Sequence, residues 1–404
     1  MSDARHSWIA AGDASRLLGV NRATLYAYVS RGFIRSQATP GATRERLYSH
    51  DDVERLRRRT EERRAPDKAA AHALQWGMPV LESSIALIDG RRLYYRGLDA
   101  SDLARSRSLE EVAALIWSGR LDAVQPRVST PPTTSTLRSN APFVARAQSM
   151  LAAAAVDDPL AMDLRPANVA ATGLRILRLL ACTATGTSRT NGSVDLALAR
   201  KWAIGTKGAE VVRAALVLCA DHELNVSSFT ARCVASAGSH PYAAVIAGLA
   251  ALEGPKHGGS SARVEAMLDS MRRSRPLRAA VLARLRRGES IDGFGHPLYR
   301  DGDPRAQLLL EMLSERYASS AEYRFVVDFV RSGTNATGEQ PNLDFALASV
   351  ARVLKLPPGS PLMLFAIGRT IGWIGHAIEQ YGTAQLIRPR AKYVGVVQPS
   401  GASV

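Results

Sequence analysis

At 404 residues, with 46% apolar and 22% charged side chains, the chain can bury a large core in more than one domain and is not composed like a disordered protein. Its 52 Lys and Arg against 37 Asp and Glu leave a net charge of +15, which favours encounters with polyanions such as nucleic acid or the phosphates of a nucleotide. Three cysteines (Cys182, Cys219 and Cys233), none in a CxxC pair, indicate neither a disulfide framework nor a structural zinc site and fit a reducing compartment.

The amino terminus, MSDARHSWIA, lacks the apolar run of a signal peptide. An apolar-periodic segment from Ala10 to Leu18, a turn at Gly19-Val20 and a second helical pattern from Arg22 to Val29 predict two short helices. Asn21 is placed to cap the second and Gly32 to end it. Phe33 to Tyr48 suits a two-stranded wing, and Ser49 with Asp52 resembles a capping box that opens a helix to about Arg64. Residues 1–66 hold thirteen Arg against eight Asp and Glu, so basic charge is enriched there.

Residues 67–78 read as a linker. Helical patterns follow at Ser108–Trp117, Val169–Leu180, Ala209–Cys219 and Ala243–Leu252, so the fold class is mainly α. SSIALIDGRRLYYRG, from Ser83, reads as two short strands around an Asp89-Gly90 turn. Asp122 to Asn140 reads as a long surface loop. The most apolar late stretch, Pro361 to Ile378, is interrupted by Arg369 and several glycines, which argues against a membrane span and for a cytoplasmic protein.

Three segments concentrate glycine around histidine or set a carboxylate at a helix start: GPKHGG at Gly254–Gly259, GFGHPLYRDGDPR at Gly293–Arg305 and PNLDF at Pro341–Phe345. Glycine beside histidine lets backbone and ligand approach closely, although any one of these histidines alone reads equally as a satisfied core residue. In the same order come ADHELNVSSF at Ala220–Phe229, GRTIGWIGHAIEQ at Gly368–Gln380 and IRPR at Ile387–Arg390.

Together these motifs resemble the citrate synthase family over about Pro79 to Gly395. The resemblance implies all-helical large (79–259 and 350–404) and small (260–349) domains, and condensation of acetyl-CoA or propionyl-CoA with oxaloacetate followed by thioester hydrolysis. It implies Asp344 as the base, His257 as hydrogen-bond donor to the thioester oxygen, and His296 as the group polarising the 2-oxo carbonyl. A glycine-rich helix start would hold His257 neutral, as an enol-stabilising donor needs. His222, Arg305, Arg369 and Arg388 are implied for the dicarboxylate, with Arg388 reaching across a homodimer; planar guanidinium groups suit that task. Gly293, Phe294, Gly295, Arg300 and Asn342 are implied around CoA, and Ser227 as orienting His257. The CoA thioester is a substrate, and no cofactor or metal is implied.

Two departures stand out: Cys219 replaces a second histidine found in many relatives, and Gly258-Gly259-Ser260-Ser261 replaces a commoner Gly-Gly-Ala-Asn. The first sixty-odd residues resemble the winged helix-turn-helix of the MerR and excisionase families, which implies Arg22, Thr24, Tyr26 and Arg31 facing double-stranded DNA and Arg44 and Arg46 on the wing. The alternatives are a transcription regulator whose synthase body senses a metabolite, and a citryl-CoA lyase with the same residues.

Overall fold

The computed structural model describes residues 8–39, 46–64, 81–122, 140–188, 192–274, 276–299, 301–391 and 393–396. The chain divides into two compact units, Met1–Glu82 and Ser83–Val404.

In the first unit, α1 (Ala11–Leu18) ends where Gly19 adopts φ 63°, and α2 (Arg22–Ser30) begins where Asn21 accepts the Thr24 N–H. A left-handed C-terminal residue costs glycine little, which is why the turn falls there. Strands β2 (Ser36–Ala38) and β3 (Arg46–Ser49) form the expected antiparallel wing, and β1 (Trp8–Ala10) adds a third strand on the other edge of β3. Helix α3 runs from His50 to Arg64. Only half of the expected capping box forms: the Asp52 N–H donates to Ser49 Oγ at 3.4 Å, but the Asp52 carboxylate turns away to Arg35, which donates from Nε at 2.8 Å and Nη2 at 3.1 Å. A guanidinium fork outcompetes a single backbone N–H for a carboxylate. Ala14, Leu25, Ile34, Tyr48 and Val53 close a small separate core.

The second unit opens on a three-stranded antiparallel sheet, β4 (Ala86–Ile88), β5 (Leu93–Tyr95) and β6 (Leu98–Asp99). The turn is wider than a two-residue hairpin: Asp89 Oδ1 accepts the N–H groups of Arg91 and Arg92, and Gly90 takes φ 89°. Fourteen described helices follow: α4 (Ala100–Ser106), α5 (Leu109–Ser118), α6 (Phe143–Val156), α7 (Pro166–Thr185), α8 (Val194–Lys201), α9 (Gly205–Leu218) and α10 (Val226–Ser236), then α11 (Pro241–Leu252), α12 (Gly259–Met271), α13 (Leu277–Arg286), α14 (Pro304–Tyr317), α15 (Ala321–Thr337), α16 (Leu343–Val353) and α17 (Ser360–Thr383). Helix α5 carries a complete capping box between Ser108 and Glu111.

Helix α17 is the axis of this unit, packing against α5, α7, α9, α10, α11, α12 and α16. It is the one described helix long and apolar enough to cross a membrane, yet 83% of its most apolar window is buried within the protein. Its glycines permit close contact. A methyl group on Gly372 would sit 2.4 Å from Asp221 Oδ1, and one on Gly368 would sit 2.4 Å from the Leu216 carbonyl oxygen. The Gly372 N–H donates to the Ala220 carbonyl at 2.9 Å, tying α17 to the loop between α9 and α10.

Candidate active site

Four chain segments meet around α17: the loop Cys219–Asn225, the turn before α12, the segment 293–305 and the start of α16. In the first, Tyr95 Oη donates into the carbonyls of Val217 and Leu218, while Asp221 is held by His376 Nε2 at 3.2 Å and by the Glu223 N–H at 3.1 Å. Glu223 adopts φ 52°, a left-handed conformation that side chains other than glycine rarely take. The loop thereby presents His222, whose Nε2 lies 3.0 Å from Tyr299 Oη. Burial, with Arg305 and Arg369 beside it, holds His222 well below the usual imidazole range.

His257 sits in the turn before α12, with Nε2 2.8 Å from Ser227 Oγ and its ring edge-on to Phe365. Ser227 Oγ receives the Trp373 indole N–H at 3.2 Å, and its own proton has two acceptors in reach, His257 Nε2 and Asn225 Oδ1 at 2.8 Å. An indole N–H can only donate, so Ser227 is an acceptor on that side. Burial, and then the field of Arg369, pushes His257 down to about 4.

His296 packs against His222 at 5.2 Å and Tyr299 at 4.9 Å between ring centroids. Its Nδ1 accepts the Leu298 N–H at 3.1 Å. Burial and Arg305 push it down to about 4 as well, so near neutral pH the ring is uncharged and its proton lies on Nε2. Gly293 and Gly295, at φ 85° and 79°, form the strand-like approach to it: the Asn342 N–H donates to the Gly293 carbonyl and the Gly295 N–H to the Gln340 carbonyl. A methyl on Gly293 would meet Phe345 Cβ at 2.8 Å. Phe294 turns its side chain inward, against Phe345 and Phe329. Arg300 lies outside the described residues.

Asn342 caps α16 by accepting the Asp344 N–H at 3.1 Å, and its Nδ2 donates to the Gly295 carbonyl at 3.0 Å. Asp344 therefore occupies the first turn of α16, facing the first turn of α12. Burial pushes its carboxyl above the usual carboxylate range, against the hydroxyls of Ser261 and Ser260 and the charge of Arg305, which pull it down.

The two buried arginines are held differently. Arg305 forms a two-point ion pair with Asp303, Nε to Oδ1 at 2.9 Å and Nη2 to Oδ2 at 2.8 Å, and lies over the Tyr299 ring. Arg369, 1% exposed, donates from Nε to the Cys219 carbonyl at 2.7 Å and lies 4.6 Å from the centre of the Phe365 ring. No carboxylate among the described residues forms an ion pair with it, and burial lowers its pKa. Arg388 is exposed on the segment after α17, and among the described residues no hydrogen bond or ion pair links it to this network.

Most of the residues singled out in the sequence thus converge, and several contributors come to light only here. Tyr299, Asp303, Phe365, Trp373 and Ser261 each touch one of the converging groups. Asp303 carried a signal, since an acidic residue before Pro-Arg marks a helix start, and Ser261 carried one as a departure from the family's Gly-Gly-Ala-Asn; the other three are ordinary aromatic positions until the chain is folded.

In the first unit, Tyr26 is 52% exposed and Arg22 is exposed on α2, while Arg31, also exposed, caps the carboxy-terminal end of that helix. Thr24 is committed to the Asn21 cap through its N–H and hydroxyl, and Arg46 donates to the Ser36 hydroxyl and carbonyl on β2. Burial, with Tyr26 beside it, raises the proton affinity of Tyr48 at the wing base. Arg44 lies outside the described residues.

Comparison with known proteins bears on both units. Residues 73–390 match the citrate synthase C-terminal domain, and residues 10–60 match the MerR HTH family regulatory protein. The chain is 30% identical over 351 residues to "Citrate synthase 2" of Bacillus subtilis, covering 79% of this chain and 94% of that protein. It is also 30% identical to "2-methylcitrate synthase" of Shewanella oneidensis, over 76% and 90% of the two chains. The crystal structure of citrate synthase from Thermotoga maritima superposes with a TM-score of 0.63 at 26% identity, covering 80% of this chain and 95% of that one.

Proposed function

The chain belongs to the citrate synthase family, and from that premise and the geometry above we propose how its residues condense an acyl-CoA with oxaloacetate. The reaction makes it an acyltransferase. The carrying observation is that two neutral histidines, a carboxylate with raised proton affinity and two buried arginines converge on one site.

Asp344 takes a proton from the carbon next to the thioester carbonyl. Its raised pKa suits it as a base near neutral pH. His257, uncharged, donates a hydrogen bond to the thioester oxygen, where charge develops; this requires the Ser227 hydroxyl to point at Nε2, leaving the ring proton on Nδ1. The enol carbon then bonds to the 2-oxo carbon of oxaloacetate. His296 polarises that carbonyl and passes its Nε2 proton to the resulting alkoxide, and the proton that Asp344 took from the thioester's carbon restores the imidazole. Water cleaves the thioester, releasing CoA and the tricarboxylate.

Arg369 and Arg305 grip the dicarboxylate, with His222 as a further donor. Arg369 is the stronger anchor of the two, because among the described residues no carboxylate is ion-paired with it, whereas Arg305 already has Asp303. Backbone of Gly293, Phe294 and Gly295, with Arg300 and Asn342, lines the CoA side. Arg388 reaches the site of a partner subunit in a homodimer, and the enzyme works in the cytoplasm on acetyl-CoA or propionyl-CoA without a cofactor.

Purified protein with oxaloacetate should release CoA thiol from acetyl-CoA or propionyl-CoA, and Asp344→Ala should lower turnover by several powers of ten. A fully active Asp344→Ala protein would refute the assignment of the base. Offering citryl-CoA in the same assay separates a lyase from a synthase.

For the first unit, the helix-turn-helix match together with exposed Arg22 and Tyr26 on α2 and exposed Arg31 just past its end supports binding to double-stranded DNA. The main affinity would come from phosphate contacts and fall with salt.

A further inference from the structure

We propose that Ser261, assisted by Ser260, is a positioning residue for Asp344: its hydroxyl holds one carboxylate oxygen and leaves the other aimed at the substrate. This rests on the reading of Asp344 as the base.

Ser261 is 1% exposed, and its Oγ donates to Asp344 Oδ1 at 2.6 Å. That length is typical of a hydroxyl donating to a charged oxygen, stronger than a neutral hydrogen bond. A serine in a helix commonly donates back to a carbonyl one turn earlier; here the hydroxyl crosses from α12 to α16 instead. The hydroxyl of Ser260, the preceding residue, also favours the ionised form of this carboxyl group. Ser260 and Ser261 stand where the family resemblance leads one to expect Ala-Asn after Gly-Gly, so in this chain the donor to the carboxylate is a hydroxyl.

The other charges around Asp344 are accounted for. From the start of α14 come Arg305, which favours the carboxylate, and Asp303, which opposes it. Cys219, at the end of α9, is neutral, its thiol pushed up to about 12 by burial. On α17, Arg369 is turned to the Cys219 carbonyl. The carboxylates further along α12 are engaged elsewhere: Glu265 accepts the Gly359 N–H and Asp269 pairs with Arg352 at 2.6 Å.

A buried carboxylate with one oxygen tied down keeps a single rotamer and stays ionised at lower pH than the same group without the donor. Removing the donor should therefore move the acid limb of kcat/KM upward by about one to two pH units, the size of a lost charge-assisted hydrogen bond. KM for oxaloacetate should hold, since His222, Arg305 and Arg369 are untouched.

The test measures CoA thiol release by the full-length protein against pH for wild type, S260A, S261A and S261C, with infrared spectra of the carboxylic-acid band at each pH. S261A should move both the acid limb and the carboxyl titration upward, and S260A should move them less. S261C, which keeps the volume with a weaker donor, should fall between and guards against a misfolded alanine variant. Coincident profiles for wild type and S261A, or a raised KM for oxaloacetate with an unmoved limb, would overturn the positioning role. A wild type that releases no thiol would instead overturn the synthase reading, and the infrared titration would still decide whether Ser261 sets the proton affinity of Asp344.

Discussion

Arg305 and Arg369 share a proposed task, yet their surroundings predict different effects on the ligand-free protein. Replacing Arg305 by Met leaves Asp303 buried at 1% exposure with its charge partner gone, although it still accepts the Leu343 N–H at 3.1 Å. Breaking a buried pair from one side costs about 3–5 kcal/mol, because an uncompensated charge stays behind. In a unit of roughly 320 residues the unfolding entropy near the midpoint is about 0.7 kcal/mol per degree, so the loss corresponds to about 4–7 °C in Tm. Arg369→Met is different. It removes a buried cation that has no carboxylate on it, a relief of about 1–4 kcal/mol, and deprives the Cys219 carbonyl of its 2.7 Å donor, a cost of about 1–3 kcal/mol. The two largely offset, and stability should fall between about 2 kcal/mol below and about 3 kcal/mol above wild type. Thermal unfolding without ligand, followed by calorimetric titration with oxaloacetate, checks both halves: each variant should lose oxaloacetate binding, but only Arg305→Met should lose stability. Equal destabilisation by the two substitutions, or an Arg369→Met protein that binds oxaloacetate as wild type does, would refute the reasoning.

Further expectations concern protonation and the first unit. Since His257 and His296 are both pushed down to about 4, nitrogen NMR at pH 6 should show both rings neutral, whereas unperturbed imidazoles would be largely charged. Each lowered pKa also makes the fold lose stability as pH falls from 6.5 toward 4, because the unfolded chain takes up those protons first. Asp52 is held down at about 2, chiefly by its hydrogen bonds from Arg35. The stability it gives the first unit is complete above pH 4 and should disappear as pH falls through 2, and Asp52→Asn should remove that dependence from an acid titration followed by circular dichroism. Full-length protein should be retained on duplex DNA at low salt, and Arg22→Ala with Arg31→Ala should weaken retention and flatten its salt dependence; retention equal to wild type at every salt concentration would remove α2 from the interface.

Local sequence determined much of this protein. Asn21, Gly19 and the Ser108–Glu111 pair set helix ends because a cap acts on the N–H groups within one turn, and glycine's freedom at positive φ needs no tertiary partner. The glycine-flanked histidines and the Asp344 helix start were legible for the same reason, and their order along the chain carried the family. Where a side chain had two suitors, sequence could not choose: Asp52 left its box for Arg35, Thr24 was absorbed by the Asn21 cap, and Phe294 turned into the core. Several contacts that order the site are long-range. Ser261 reaches Asp344 across 83 positions, Trp373 reaches Ser227 across 146, and Arg369 reaches Cys219 across 150. Spacing along a chain fixes which residues share a turn, but burial and charge at Asp344, His257 and His296 depend on which turns are packed together, and only the tertiary structure decides that.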